Sequence, residues 1–262
     1  MAKGSGSPGD ELLSGDLLRP IGIATVAFGS TLIATMSGGS SSLLSTPAWF
    51  ALGYPLPVAI AADKVAATFW ASVSARNYLR GRSVDRRLLV GMMLTGLIGA
   101  VLGARVTTVI DPHLLRRVVG ALIALAAVGV ALRPAFGQAA REPRLGRRGA
   151  LATAVPLGFY EGMLGSGNSV LTTLVLCAGR GLDLPRALGH YYAMAVPWCV
   201  LAAITYAWQG FFDLGLAAPV FLGAGVGGYL GSRIGSSRGA GFLRVVFVVA
   251  ALAVGGVLAV AG

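Results

Sequence analysis

Asp63 and Lys64 lie side by side within an otherwise apolar run, PVAIAADKVAATFWASV. A cation there attracts an anion, and a carboxylate there balances the cation or holds backbone N–H groups. Successive helical residues point about 100° apart, so the two need not pair with each other. Two more titratable side chains fall in apolar surroundings: Glu161 in GFYEG and His190 in GHYYAM. A carboxyl removed from water holds its proton more firmly, and imidazole titrates nearest physiological pH. Either is a candidate proton carrier, with a plain structural hydrogen bond as the alternative for each. Two Gly/Ser breaks complete the set, Ser37-Gly38-Gly39-Ser40-Ser41-Ser42 and Gly165-Ser166-Gly167-Asn168-Ser169. Helix starts at such breaks present free N–H groups and a partial positive charge, which suits an anion. The alternative is that these glycines only let helices pack closely.

The elements that must position these groups follow from composition. The chain has 262 residues, 55% of them hydrophobic and only 12% charged, with mean hydropathy +0.76. A soluble domain carries about 25% charged residues. Apolar runs such as Leu88–Ile110 and Phe242–Val260 are long enough to span a hydrocarbon core about 30 Å thick. A soluble enzyme and a disordered chain are both excluded, leaving an all-α polytopic membrane protein. Charged residues inside such helices are costly and functional by default. Cys177 and Cys199 sit in apolar runs without CxxC or Cys/His spacing, which reads as inert core rather than a disulfide or metal site.

The net charge of +11 comes from 19 Arg and 2 Lys against 10 acids. The arginines crowd short loops, Arg76 to Arg87 and Arg141 to Arg148 foremost, as cytoplasmic loops do. No aromatic-basic interleaving accompanies them, so nucleic acid is not a partner. The expected partners are the lipid bilayer and a small anionic substrate. Proton coupling would run through Asp63, Glu161 or His190. A homodimer is common among transporters, but nothing in the sequence specifies one. No P-loop is present, and GAGVGG at 223–228 lacks a preceding strand. No cofactor and no enzyme activity are expected.

Residues 1–19 read as a flexible polar tail, 20–133 as a first membrane repeat, 134–148 as a basic cytoplasmic linker and 149–262 as a second repeat. Apolar segments fall at about 20–36, 40–53, 58–79, 87–110 and 114–132, then at about 149–164, 168–179, 186–208, 214–235 and 240–261. Adding 128 to a position carries Gly39 to Gly167, Pro57 to Pro185, Asp85 to Asp213 and Leu102-Gly103 to Leu230-Gly231. Five segments per copy is an odd number, so the copies should be inverted. Arginine placement then puts both termini outside the cell (inner) membrane, with 105–117 as the exception on the outer face. The first two segments of each copy are short and broken by Gly/Ser, which reads as a re-entrant hairpin. Inverted repeats are a transporter signature, with substrate bound near the midplane.

Several runs together resemble the sulfite exporter TauE/SafE family of membrane permeases, particularly its YfcA-like branch. They are SGGSSSLLSTPAWFALGYP, AIAADKVAATF, Arg80 to Asp85, GAVLGAR, GFYEGMLGSGNSVL, Leu182 to Ala187 and YLGSRIG. The resemblance implies two inverted repeats and transport, commonly export, of sulfite or organosulfonate anions. Members often show Thr-Asn-Lys where this chain has Ala62-Asp63-Lys64, and Asn-Thr-Lys where it has His190-Tyr191-Tyr192. The family's Gly-Gly-Gly-type tip becomes Gly38-Gly39-Ser40. A second cavity lysine is therefore missing, which points to a singly charged or larger sulfonate, aromatic if Tyr191 and Tyr192 line the pocket. The expected substrate site comprises Ser37, Gly38, Gly39, Ser40, Ser41 and Lys64 with Gly165, Ser166, Gly167, Asn168, Ser169, Tyr191 and Tyr192. The rival reading is a membrane scaffold or assembly factor that keeps the fold without transport.

Overall fold

The structure is a computed structural model that describes residues 8–37, 41–107 and 136–261, and between them residues 121, 124, 128, 131 and 132. Among the described residues all regular structure is helical. The helices are α1 (Pro8–Ser37), α2 (Ser42–Ala51), α3 (Leu56–Leu79), α4 (Arg86–Val106), α5 (Arg147–Met163), α6 (Asn168–Leu174), α7 (Leu184–Trp208), α8 (Leu214–Ser237) and α9 (Gly239–Ala261). A π turn, Val175–Gly179, continues α6. Five stretches are long and apolar enough to cross a membrane: Leu18–Met36, α3, α4, α7 and α8.

Most expected segments fall within a few residues of these bounds. The segment expected at 114–132 lies outside the described residues except at isolated positions. The expected tail differs: α1 begins at Pro8, well inside it. The stretch reads PGDELL, and Pro, Asp and Glu are residue types that favour a helix start.

Helix starts are dictated locally. Asp85 and Asp213, the pair matched by the 128-residue offset, both cap: their carboxylates accept from Leu88 N at 3.0 Å and Leu216 N at 2.9 Å. Pro57 and Pro185 occupy the first turns of α3 and α7, where a missing N–H is harmless.

The hairpin of α5 and α6 returns to the end where it began. Arg144 N and Leu145 N, just before α5, donate to Gly179 O, at the end of the π turn, at 2.9 and 2.7 Å. At about 1.5 Å per residue α5 rises about 25 Å and α6 with its π turn about 18 Å, both short of a full crossing. The turn between them, Leu164 to Gly167, is therefore deep in the bundle. The α1–α2 hairpin closes at the far end: the Arg19 guanidinium lies 5.4 Å over the Tyr54 ring, next to the start of α3.

The arginine-rich stretches share one end of the molecule. Arg180 Nη2 lies 3.9 Å from Asp85 Oδ2, and Arg141 N donates to Gly181 O at 2.8 Å. Arg147 donates to Arg87 O and Arg82 to Ser236 O, each at 3.3 Å.

At the centre, α3 packs on α7, and both bury most of their faces. Buried alanines nearly encircle α3, among them Ala59, Ala62, Ala66 and Ala71, so its neighbours approach its backbone. Around this pair α1 packs on α8 and α4 packs on α5. Glycines make both seams: Gly223, Gly227 and Gly231 face the carbonyls of Ala24, Phe28 and Leu32. On the other side Gly99 and Gly103 face those of Val155 and Phe159. Cα-to-backbone approach of this kind is how membrane helices gain dispersion energy without a hydrophobic drive. The opposite faces are apolar and exposed, as with Val90, Leu94 and Ile98 along one stripe of α4, which suits lipid rather than water.

Candidate functional site

Lys64 and Glu161 form a buried ion pair at the centre of the bundle. Lys64 Nζ donates to Glu161 Oε1 at 2.7 Å, and each side chain is 5% exposed. Lys64 comes from the middle of α3, and Glu161 from the last turn of α5 just before the hairpin tip. Asn168 at the start of α6 crosses that tip, its Nδ2 donating to Glu161 Oε2 at 2.7 Å and to Leu157 O at 3.1 Å. Tyr191 OH on α7 donates to Glu161 Oε2 at 3.2 Å, and Cys199 Sγ to Oε1 at 3.5 Å. One carboxylate thus collects four donors from three other helices.

Backbone shape makes room for this. Gly165 has φ +74° and Gly167 φ +81°, a region that side-chain-bearing residues rarely adopt. A Cβ on Gly165 would collide with Lys64 Nζ and lie 2.8 Å from Glu161 Oε1. Tyr206 OH ties the tip from the other side, donating to the carbonyls of Gly162 and Met163 at 3.1 and 3.0 Å. Tyr160 OH donates to Ser166 O at 2.6 Å.

Asp63 faces elsewhere, as neighbours on a helix do. Its carboxylate accepts from Ser45 Oγ and from Trp49 Nε1, both on α2 and both at 3.3 Å. The two hairpins touch through Ser42 Oγ and Ser166 Oγ at 2.8 Å. A cavity of about 30 Å³ lies beside the ion pair, lined by Ser41, Ser42, Asp63, Lys64, Glu161 and Gly165 among others. That is room for about one or two waters.

The expected residues divide accordingly. Ser41, Asp63, Lys64, Glu161, Gly165, Ser166, Asn168 and Tyr191 come together around the pair. Ser169 is buried on α6 one residue after Asn168. Gly38, Gly39 and Ser40 lie outside the described residues; Ser37 ends α1. Tyr192 turns away, its ring edge-on to Trp70 and tilted against Tyr78 at centroid distances of 5.8 and 5.6 Å. His190 lies in the early turns of α7, its Nδ1 2.7 Å from Arg186 O, and no bond joins it to the ion pair.

Ser45, Trp49 and Tyr206 were not expected at the site. Trp49 and Tyr206 read as ordinary apolar-run aromatics, and only their N–H and O–H groups give them a polar task. Cys199, read as inert, meets Glu161 because it lies two turns from Tyr191 on the same face of α7. The oxygens Asn168 Oδ1, Thr172 Oγ1 and Thr173 Oγ1 are buried with no hydrogen-bond partner among the described residues. The α6 arm therefore carries polar capacity that its own bonds do not use. Among the described residues no cluster of His, Cys, Asp and Glu is placed to hold a metal ion.

The site thus brings one ammonium, one carboxylate and a ring of neutral donors together beside a water-sized chamber. Comparison with known proteins gives the chain its family. The chain is 25% identical over 228 residues to a probable membrane transporter protein of Sinorhizobium, covering 87% of each chain. It is 24% identical over 226 residues to one from Haemophilus influenzae, covering 86% of this chain and 88% of the relative. A third, the probable membrane transporter protein YdhB of Bacillus subtilis, is 22% identical over 185 residues and covers 68% of this chain. No solved structure matches the chain significantly. The family model described as sulfite exporter TauE/SafE matches residues 23–258, so the chain is a multi-pass membrane protein that belongs to this transporter family.

Proposed function

We propose that this protein is a secondary transporter or facilitator of small sulfur-containing or organic anions, of the sulfite and organosulfonate class. The observation that carries this reading is the buried Lys64 where the two hairpins meet, the charge an anion would seek in an otherwise apolar core. Ser41, Ser42, Ser166, Asn168 and Tyr191 would supply neutral donors to the anionic head, which reads oxyanions without demanding a second charge.

Alternating access fits two inverted copies. The reciprocal seams support this: α1 on α8 answers α4 on α5, with glycines at matching depths in each. The hairpins that close at opposite ends of the bundle support it too. The arginine-rich end would face the cytoplasm and both termini the outside of the inner membrane. Export rests on the family's name; the inside-negative potential adds about 2.3 kcal/mol per charge per 100 mV towards exit only for an anion that moves without a compensating cation.

Counterflow in proteoliposomes tests the reading, with sulfite, thiosulfate, sulfoacetate, taurine and benzenesulfonate as the panel and Lys64→Ala beside the wild type. Saturable flux lost in the variant supports it. Flux of equal rate in the variant removes Lys64 from the path. No flux of any anion from folded protein favours the scaffold reading.

A further inference from the structure

We infer that the Glu161 carboxylate occupies the place an anionic substrate would take, and that an anion displaces it only as Glu161 takes up a proton. Each anion then crosses together with one proton. This rests on the transport reading above and goes beyond it by naming the coupling group and the exchange it performs.

The donor set is the first ground. Glu161 is itself an oxyanion, and Lys64 Nζ, Asn168 Nδ2, Tyr191 OH and Cys199 Sγ all point at its two oxygens. A sulfonate or carboxylate ligand would ask for this same arrangement. The site is built, and the protein's own side chain fills it. The second ground is space. The cavity beside the pair, about 30 Å³, holds about one or two waters, which favours an anion taking Glu161's place on Lys64 over one lodged alongside it.

Charge is the third ground. The chamber already holds two carboxylates, Asp63 and Glu161, against the single ammonium of Lys64. An added anion would leave one cation facing three anions in a medium of low dielectric, a strongly unfavourable sum. A proton on Glu161 restores the charge balance and removes its claim on Lys64 in one step. A proton on Asp63 would not free Lys64, because the Asp63 oxygens accept from Ser45 and Trp49 while Lys64 donates to Glu161. His190 does not reach the pair. The groups that face Glu161 from the packed elements are Lys64 on α3, Asn168 on α6, and Tyr191 and Cys199 on α7. Where α4 meets this part of α5 it brings Gly96, Gly99, Ala100 and Gly103, none titratable. Lys64 is thus the sole cation on the carboxylate among the described residues. Glu161 also sits four residues before Gly165, whose positive φ marks the joint at which the tip turns.

The test uses benzenesulfonate and thiosulfate, neither of which takes a proton near neutral pH, so any proton that moves is the protein's. Wild-type proteoliposomes are expected to accumulate anion against its gradient when the outside is made acid, with alkalinisation of the outer medium during uptake. Glu161→Gln, a fixed neutral mimic of the protonated side chain, is expected to exchange anion across the membrane without accumulating it, at a rate indifferent to pH. Glu161→Asp keeps a titrating group but withdraws it from Lys64, and is expected to stay coupled with KM lowered about tenfold. It also serves as the second arm if the glutamine variant fails to fold. Wild-type exchange that ignores the pH gradient, or equal accumulation by Glu161→Gln, overturns the inference and leaves anion transport standing. No exchange of any anion by folded wild type overturns both.

Discussion

Ser42 Oγ and Ser166 Oγ lie 2.8 Å apart, although 124 positions separate them in sequence. Among the described residues this hydroxyl contact joins the first hairpin of the chain to the second, and Ser42 also lines the chamber that holds Lys64.

Replacing both serines by cysteine, in a background with Cys177→Ala and Cys199→Ser, which keeps the donor to Glu161, is therefore expected to give an oxidant-dependent cross-link. Proteolysis within the 134–148 stretch followed by a non-reducing gel reads it: the two fragments stay joined until reductant is added. Flux should stop when the link forms and return when it is broken. Fragments that separate under oxidising conditions would contradict the contact.

Removing one partner of the buried ion pair leaves the other uncompensated. Lys64→Met is expected to lower stability by about 3–5 kcal/mol, measured by unfolding in detergent. Lys64→Met with Glu161→Met should recover most of that loss, since two apolar chains of similar length can replace a buried pair without penalty. Transport should be absent in both. A double variant as unstable as the single one would show that the pair does not act as a unit.

The two glycine seams should respond alike. Gly103→Ala on α4 and Gly231→Ala on α8 each push a methyl into a carbonyl of the helix opposite, Phe159 and Leu32 respectively. Each is expected to destabilise by about 1–3 kcal/mol, the usual effect of overpacking a closed contact. Gly241→Ala, where a Cβ would meet nothing within 4 Å, is the control and should leave unfolding unchanged.

Trp49→Phe keeps the ring and removes the N–H that meets Asp63 Oδ1 at 3.3 Å. A buried carboxylate short of a donor is expected to lower stability by about 1–3 kcal/mol. Trp49→Phe combined with Asp63→Asn should cost less than the sum of the two changes, because they share one bond. Additive losses would mean that Trp49 acts through packing alone.

The charges of the site were legible in the sequence because apolar helices make every ion conspicuous: Asp63, Lys64 and Glu161 had no polar crowd to hide in. The offset of 128 pairs Pro57 with Pro185 and Asp85 with Asp213, and each of the four stands at the start of a helix. The partnership of Lys64 with Glu161 was not legible. It joins residues 97 apart, and no local periodicity records which face of α5 meets α3. Trp49, Ser45 and Tyr206 escaped for a related reason: their residue types are common in apolar helices, and only the geometry shows where each polar atom goes. Tyr192, grouped with Tyr191 by adjacency, instead faces Trp70 and Tyr78, since neighbours on a helix look in different directions. The tip at Gly38, Gly39 and Ser40 lies outside the described residues.

The glycine seams have a consequence for how the protein is made. The α1 backbone from Ala24 to Leu32 docks on glycines from Gly223 to Gly231, so one of the first helices to leave the ribosome finds its mate only near the end of synthesis. The α4–α5 seam, by contrast, joins near neighbours and can close early. Assembly in the bilayer should then run from the middle of the chain outward, with α1 waiting in lipid as an unpaired guest. A nascent chain halted before α8 would leave α1 open along the side that Gly223 to Gly231 cover in the finished protein.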